Sequence, residues 1–285
     1  MRPAVLLILL ATLAAPAGGQ TARDSVIRSS GTGAEAWVLL SGLVGGVAGM
    51  RALEGALRAP HRRIITIDPY RLSVDSTDVS FAAVARRVDV LLAGEGVARA
   101  NVVGHAHGAG VALRLAAQAP DRVAALYFLD AGALAVSRTK VLGLALRLAP
   151  IIASLPGGAG FLRGKLLRGI RENCGRSEWF DTAAQQAYVG PTLSDVSRAV
   201  GLAQRLGTAR EPETLDAVIT RVRVPVVVIT GSVPHPSGPG PEEFSALENA
   251  GARLRVERLA GVGHFPHEEA TLQVRDILLS RSASR

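Results

Sequence analysis

The residues of this chain best placed to do chemistry lie in the stretch NVVGHAHGAG, residues 101–110. Gly104-His105-Ala106-His107-Gly108 follows an apolar run and leads into an Ala- and Leu-rich segment. That is the frame of a nucleophile elbow, in which a strained strand-to-helix turn exposes its central side chain and needs small residues on both sides. Here the central residue is Ala106. A methyl group has no proton to lose and no lone pair, so it cannot form a covalent intermediate. The frame still aims the backbone N–H of His107 at a developing oxyanion. A second such donor is expected from the loop Ser41-Gly42-Leu43-Val44-Gly45-Gly46, with Leu43 the natural choice. Ser41 and Gly42 would then line the bound ligand.

Five further histidines stand at positions 61, 105, 107, 235 and 267 beside the C-terminal His264. Histidine is the commonest zinc ligand, but the two members of a H-x-H pair on an elbow point in different directions. The reading is therefore no metal. Ser41 and Ser232, both at strand ends, are weak substitutes for a nucleophile because neither sits on an elbow.

The elements that must position these groups alternate. Short apolar runs at 37–40, 63–67, 101–103, 123–129, 225–230 and 252–259 read as strands covered on both faces, and hence as a parallel sheet flanked by helices. Helical spacing marks 81–94, and the segment 107–118 stops before Pro120 as a helix should. A last helix is expected over 268–280. Residues 131–220 break the rhythm, with no convincing strand and several helical segments punctuated by Pro150 and Pro156-Gly157-Gly158. They read as a helical cap.

GVARANVVGHAHGAGVALRLAAQAPDRVAALYFLDAG and LAGVGHFPHEE resemble the elbow and C-terminal histidine segments of the α/β-hydrolase superfamily. The likeness is to its capped members related to esterases, epoxide hydrolases and haloalkane dehalogenases. The resemblance implies an α/β-hydrolase fold: a mostly parallel central sheet, flanking helices, and a helical cap inserted after the strand that follows the elbow. It implies core segments at 21–130 and 221–285 around a cap at 131–220, His264 as catalytic base, and cofactor-free chemistry. The chain departs from the pattern at three places. Ala106 replaces the nucleophile, the oxyanion loop begins Ser41-Gly42, and no acid follows Gly231, where the sequence runs Ser232-Val233-Pro234-His235. Asp130, ending the strand after the elbow, stands where some members of the superfamily carry their triad acid. The expected function is that of a superfamily member with an incomplete triad and no ordinary serine esterase activity. A ligand-binding pseudoenzyme and a non-covalent enzyme with His264 as base are both kept as alternatives.

Bulk properties narrow the setting. Of the 285 residues, 48% are hydrophobic and only 4% aromatic, so an aliphatic core is expected and wholesale disorder is not. Arg2 and the apolar stretch 4–15 before Ala15-Pro16-Ala17 read as a signal peptide over 1–20, too short to span a bilayer comfortably, with an uncleaved membrane anchor as the alternative. The mature chain is expected to be secreted or periplasmic. Cys174 is the single cysteine, so no intramolecular disulfide can form. The net charge is +8, concentrated between Arg138 and Arg176, where eight Lys/Arg face one acid, Glu172. A solvated face is the first reading of that patch, and weak contact with an anionic membrane surface the second. Without a recognised module or interleaved aromatics, nucleic acid is not an expected partner. The expected ligand is a small hydrophobic or acyl molecule.

Overall fold

The computed structural model of the chain describes residues 26–131, 134, 143–235, 237, 241–249 and 254–282. The expected signal segment, Arg138, Lys140 and the start of the expected last strand at Ala252 lie outside the described residues.

Seven strands form one sheet: β1 (Ile27–Ser30), β2 (Glu35–Leu40), β3 (Arg62–Ile67), β4 (Ala100–His105), β5 (Val123–Leu129), β6 (Val226–Gly231) and β7 (Leu254–Leu259), in the spatial order β1-β3-β2-β4-β5-β6-β7. All neighbours are parallel except β1, which pairs antiparallel with β3 at one edge. The edge strand is absent from the sequence-based expectation. Its segment, IRSS, is short and mostly polar, and it gains strand structure only by pairing with Ile64–Ile67.

The helices are α1 (Arg51–Leu57), α2 (Pro69–Leu72), α3 (Phe81–Gly94), α4 (His107–Gln118), α5 (Gly143–Ser154), α6 (Gly158–Glu172), α7 (Thr182–Ser194), α8 (Val196–Thr208), α9 (Leu215–Ile219), α10 (Pro241–Asn249), α11 (Pro266–Glu269) and α12 (Thr271–Ser282). α3 and α4 match their expected bounds. The expected single C-terminal helix is broken at Ala270, where φ is −145°. Alternation along each strand sends Val38, Leu40, Ile65, Val102 and Phe128 to the face covered by α3 and α4. Trp37, Leu39, Val103, Tyr127 and Ile229 go to the face covered by α1 and α12. Burial on both faces is why these strands read as continuous apolar runs.

α5 to α8 form the cap between β5 and β6, and polar side chains start its later helices: Asp181 accepts the N–H of Ala184, and Asp195 that of Arg198. The inner side of α6 carries Ile170, Leu166 and Leu167 onto Phe180, Tyr188 and Phe265. Tyr188 fixes the cap to the core. Its hydroxyl donates to the Gly49 carbonyl at 3.1 Å, and its ring lies so near Gly45 and Gly49 that a Cβ at either would come within 3.0 Å of it.

The C-terminal ends of β2, β4, β5 and β6 lie side by side, because Leu40 is in register with Gly104, His105 with Leu129, and Leu129 with Ile229. β2 has β3 on one side and β4 on the other, so the strand order reverses there. Open parallel sheets place their sites at such a point.

Candidate active site

Ala106 adopts φ 49° and ψ −118°, and it is one of two non-glycine residues with positive φ among the described residues. L-residues pay for that conformation, and it persists where surrounding structure enforces it. The enforcement comes from close approach. A Cβ at Gly104 would stand 2.5 Å from the Gly108 carbonyl oxygen, and one at Gly108 would stand 2.5 Å from that of Leu40. The Ala106 N–H donates to the Leu129 carbonyl at 3.1 Å, pinning the turn to β5. Gly104→Ala is therefore expected to cost about 3 kcal/mol or more, since its methyl meets the backbone of Gly108 and Ala109. Gly55→Ala in α1, with no atom within 4 Å of its Cβ, should be neutral or stabilising by up to about 1 kcal/mol. Urea unfolding of the two variants checks the contrast.

His107 is the first residue of α4, so its N–H has no acceptor within the helix. Leu43 lies in no regular element, and its N–H meets no backbone acceptor among the described residues. Gly42 sits against the elbow: a Cβ there would lie 3.4 Å from the Ala106 methyl. His107 directly follows Ala106 in the chain, and Gly42, the residue before Leu43, packs against the Ala106 methyl. Ser41 is buried with its hydroxyl unpartnered among the described residues.

The acid is Asp130. It is fully buried at the end of β5, with φ 45°. Its Oδ2 accepts from His264 Nδ1 at 2.6 Å, and Oδ1 accepts from the Thr230 hydroxyl at 2.7 Å. His235 Nε2 lies 3.2 Å from the same Oδ2. Burial alone would raise the Asp130 pKa, but hydrogen bonds from His235 and His264, the charge of His264 and the Thr230 hydroxyl together hold it well below the usual carboxylate range. Asp130 therefore keeps its charge, orients His264 and can stabilise its imidazolium.

His264 rests on its neighbours. Its N–H donates to the Asn173 carbonyl of the cap at 2.7 Å, and its carbonyl accepts from His105 Nε2 at 2.9 Å. Glu269 gathers the loop by accepting N–H groups from Gly263, Phe265, Gly175 and Arg176. His267, within α11, is buried, with its ring 4.4 Å from that of His105. Burial pushes the His105 pKa well down and that of His267 down to about 3, the charge of His264 adding to both. His107 packs edge-on against Tyr70 and Phe81. Burial and His264 lower its pKa to about 4.

Sequence reasoning missed Thr230, His235, Tyr188 and Glu269. Only His235 carried a signal, standing just beyond Gly231 where an acid was sought. Ser232, weighed as a substitute nucleophile, is exposed and accepts the Gly261 N–H. Cys174 is no better, because burial above all lifts its thiol pKa to about 12. Asp130, His235 and His264 are the one group among the described residues whose donor atoms lie close enough to share a cation, within 4.8 Å of one another. The 2.6 Å between His264 Nδ1 and Asp130 Oδ2 is a hydrogen bond. Two ligand atoms about 2.1 Å from zinc at a tetrahedral angle would stand more than about 3 Å apart. A surface depression of about 550 Å³ over α3, lined by Leu72, Asp78, Arg86 and Val90 among others, contains none of Ala106, Asp130 and His264.

Comparison with known protein families matches residues 26–277 to the Alpha/beta hydrolase family. Among solved structures, an alpha/beta hydrolase fold protein from Burkholderia ambifaria is 19% identical, covering 90% of this chain and 93% of its own, with a TM-score of 0.70. An esterase from Thermogutta terrifontis is likewise 19% identical, covering 90% and 92%, at 0.65. An epoxide hydrolase solved without ligand is 20% identical, covering 90% and 94%, at 0.66.

Proposed function

Because this chain belongs to the alpha/beta hydrolase family, we propose that it keeps the acid, base and oxyanion donors of a hydrolytic site without the covalent step. It binds a small hydrophobic or acyl ligand, with the ligand's oxygen held by the Leu43 and His107 N–H groups beside Ser41 and Gly42. It does not act as a serine esterase. The observation that carries this reading is Ala106 in an enforced elbow conformation while His264 and Asp130 stay paired at 2.6 Å. The neighbours that are an esterase and an epoxide hydrolase support an ester or a related oxygenated molecule as the ligand class. The reading takes residues 1–20 as an export signal and 131–220 as the cap over a core formed by 21–130 and 221–285.

An organophosphonate probe tests the missing covalent step. The protein should show no adduct mass after prolonged exposure. A stoichiometric adduct on any side chain of the cleft would overturn the proposal.

The intact Asp130–His264 pair favours one second reading, in which His264 acts directly on water. Its free Nε2 takes a proton as the water oxygen attacks the carbonyl, and the two N–H groups hold the oxyanion. As the C–O bond breaks, the leaving alkoxide takes that proton back. Slow ester turnover by the parent, abolished in His264→Ala, would establish this reading. An inert parent leaves the binding function.

A further inference from the structure

Seven large apolar side chains are exposed among the described residues, and four lie within fourteen positions of the cap: Leu148, Ile151, Leu155 and Phe161, each 42–59% exposed. Leu148, Ile151 and Leu155 follow the spacing of one helical face, running off the end of α5. Phe161 begins the outer stripe of α6, which continues through Lys165 and Arg168, both exposed. The Lys165 ammonium stands 5.7 Å over the Phe161 ring. None of Arg163, Lys165, Arg168 and Arg171 is ion-paired among the described residues. The inner stripe of α6 already packs on Phe265 and Tyr188. The outer stripe therefore plays no part in closing the cap, and its apolar and cationic groups face solvent.

We infer that the outer face of α5 and α6 is a docking surface for an anionic lipid bilayer. Phe161, Ile151 and Leu155 enter the headgroup boundary, and Lys165 and Arg168 contact the headgroup anions, while the Arg171 guanidinium lies over the Phe180 ring of the inner cluster. An exposed apolar cluster joined to unpaired cations is the composition that lies in such an interface. A second copy of the chain fits less well. An isologous contact would bring the cations of the two α6 helices together, and like charges repel at close range. A duplex nucleic acid would use the cations but leave the four apolar side chains wet. Docking here would place the cap, whose inner side touches Phe265 beside His264, on the lipid. The inference goes beyond the ligand-binding reading and does not depend on it.

Vesicle co-sedimentation of the full chain tests it, comparing vesicles of one-third phosphatidylglycerol in phosphatidylcholine with vesicles of phosphatidylcholine alone. The apolar residues 4–15 would bind both kinds alike, so the readout is the preference for the anionic vesicles. The parent should prefer them by about tenfold or more at low salt and lose most of that preference in 0.5 M NaCl. Lys165→Glu/Arg168→Glu should abolish the preference. Ile151→Ser/Phe161→Ser should reduce binding to anionic vesicles about tenfold. All four residues are exposed, so the thermal midpoints should stay within a few degrees of the parent, which confirms that the variants are folded. No anionic preference in the parent, or an unchanged one in both double variants, would overturn the inference. So would a dimer in gel filtration that Phe161→Ser converts to monomer, since that would give the surface to a second copy.

Discussion

Ala106→Ser should convert an inert protein into an esterase, raising hydrolysis of p-nitrophenyl butyrate by about a thousandfold over the parent. The size follows from what the site already holds. Removing a triad member leaves only the catalysis contributed by the oxyanion hole and binding, and restoring the missing member returns a factor of about 10³ or more. Each requirement of the restored step has a counterpart in the structure. The turn conformation is present at φ 49°. The His107 N–H opens α4 with no acceptor inside the helix, and His264 is oriented by a carboxylate that burial has not neutralised. Adding Asp130→Asn to Ala106→Ser should then remove nearly all of that gain, because an amide at that position leaves His264 in the wrong tautomer to accept the serine proton. A folded Ala106→Ser protein without activity would mean that His264 Nε2 does not address the elbow. The binding role would then have to be argued without a latent hydrolytic site.

What the sequence disclosed follows from the range of the physics involved. Continuous β-branched runs such as Arg62–Ile67 and Val226–Gly231 announce strands buried on both faces, and the glycines around Ala106 announce a turn with no room for side chains. Both signals are local. Asp130 could be named from the sequence as a candidate but not chosen, because its role depends on contacts made 134 residues away at His264 and 100 residues away at Thr230. His235 was legible only as the wrong residue in the place where an acid was sought. Its approach to Asp130 appears only when β5 and β6 are laid side by side. β1 was missed because Ile27–Ser30 has little apolar content, and its strand structure is imposed by β3. The break at Ala270 was missed because α11 and α12 are separated by one alanine, a residue that ordinarily favours helix.

The buried histidines should make the fold strongly acid-labile at unusually mild pH. His105, His107 and His267 are held uncharged by burial, with His107 at about 4 and His267 at about 3, while in the unfolded chain each titrates near 6.5. Between those limits the unfolded state binds protons that the native state refuses, so stability falls as pH drops below about 6.5. Glu268 acts with the opposite sign. Burial raises its carboxyl to about 7, so between its unfolded value and 7 the native state holds a proton that the unfolded state lacks. At pH 5.5 the balance is about three protons against one. The net of about two corresponds to a loss of about 2–3 kcal/mol per pH unit. Asp130 adds to the loss only below about pH 4, where its unfolded carboxyl would be protonated and its native one still charged. For a total stability near the lower end of about 5–15 kcal/mol, such a slope brings the unfolding transition to around pH 4–5. Urea midpoints at pH 7.5, 6.5 and 5.5 measure it. His267→Phe should flatten the slope by about one proton if the ring is accommodated, and Glu268→Gln, which keeps a hydrogen-bonding partner for Tyr188, should steepen it by about one. A midpoint independent of pH between 7.5 and 5.5 would mean that these histidines are solvated. His264 would then lack the rigid, neutral support from His105 on which its alignment with Asp130 depends.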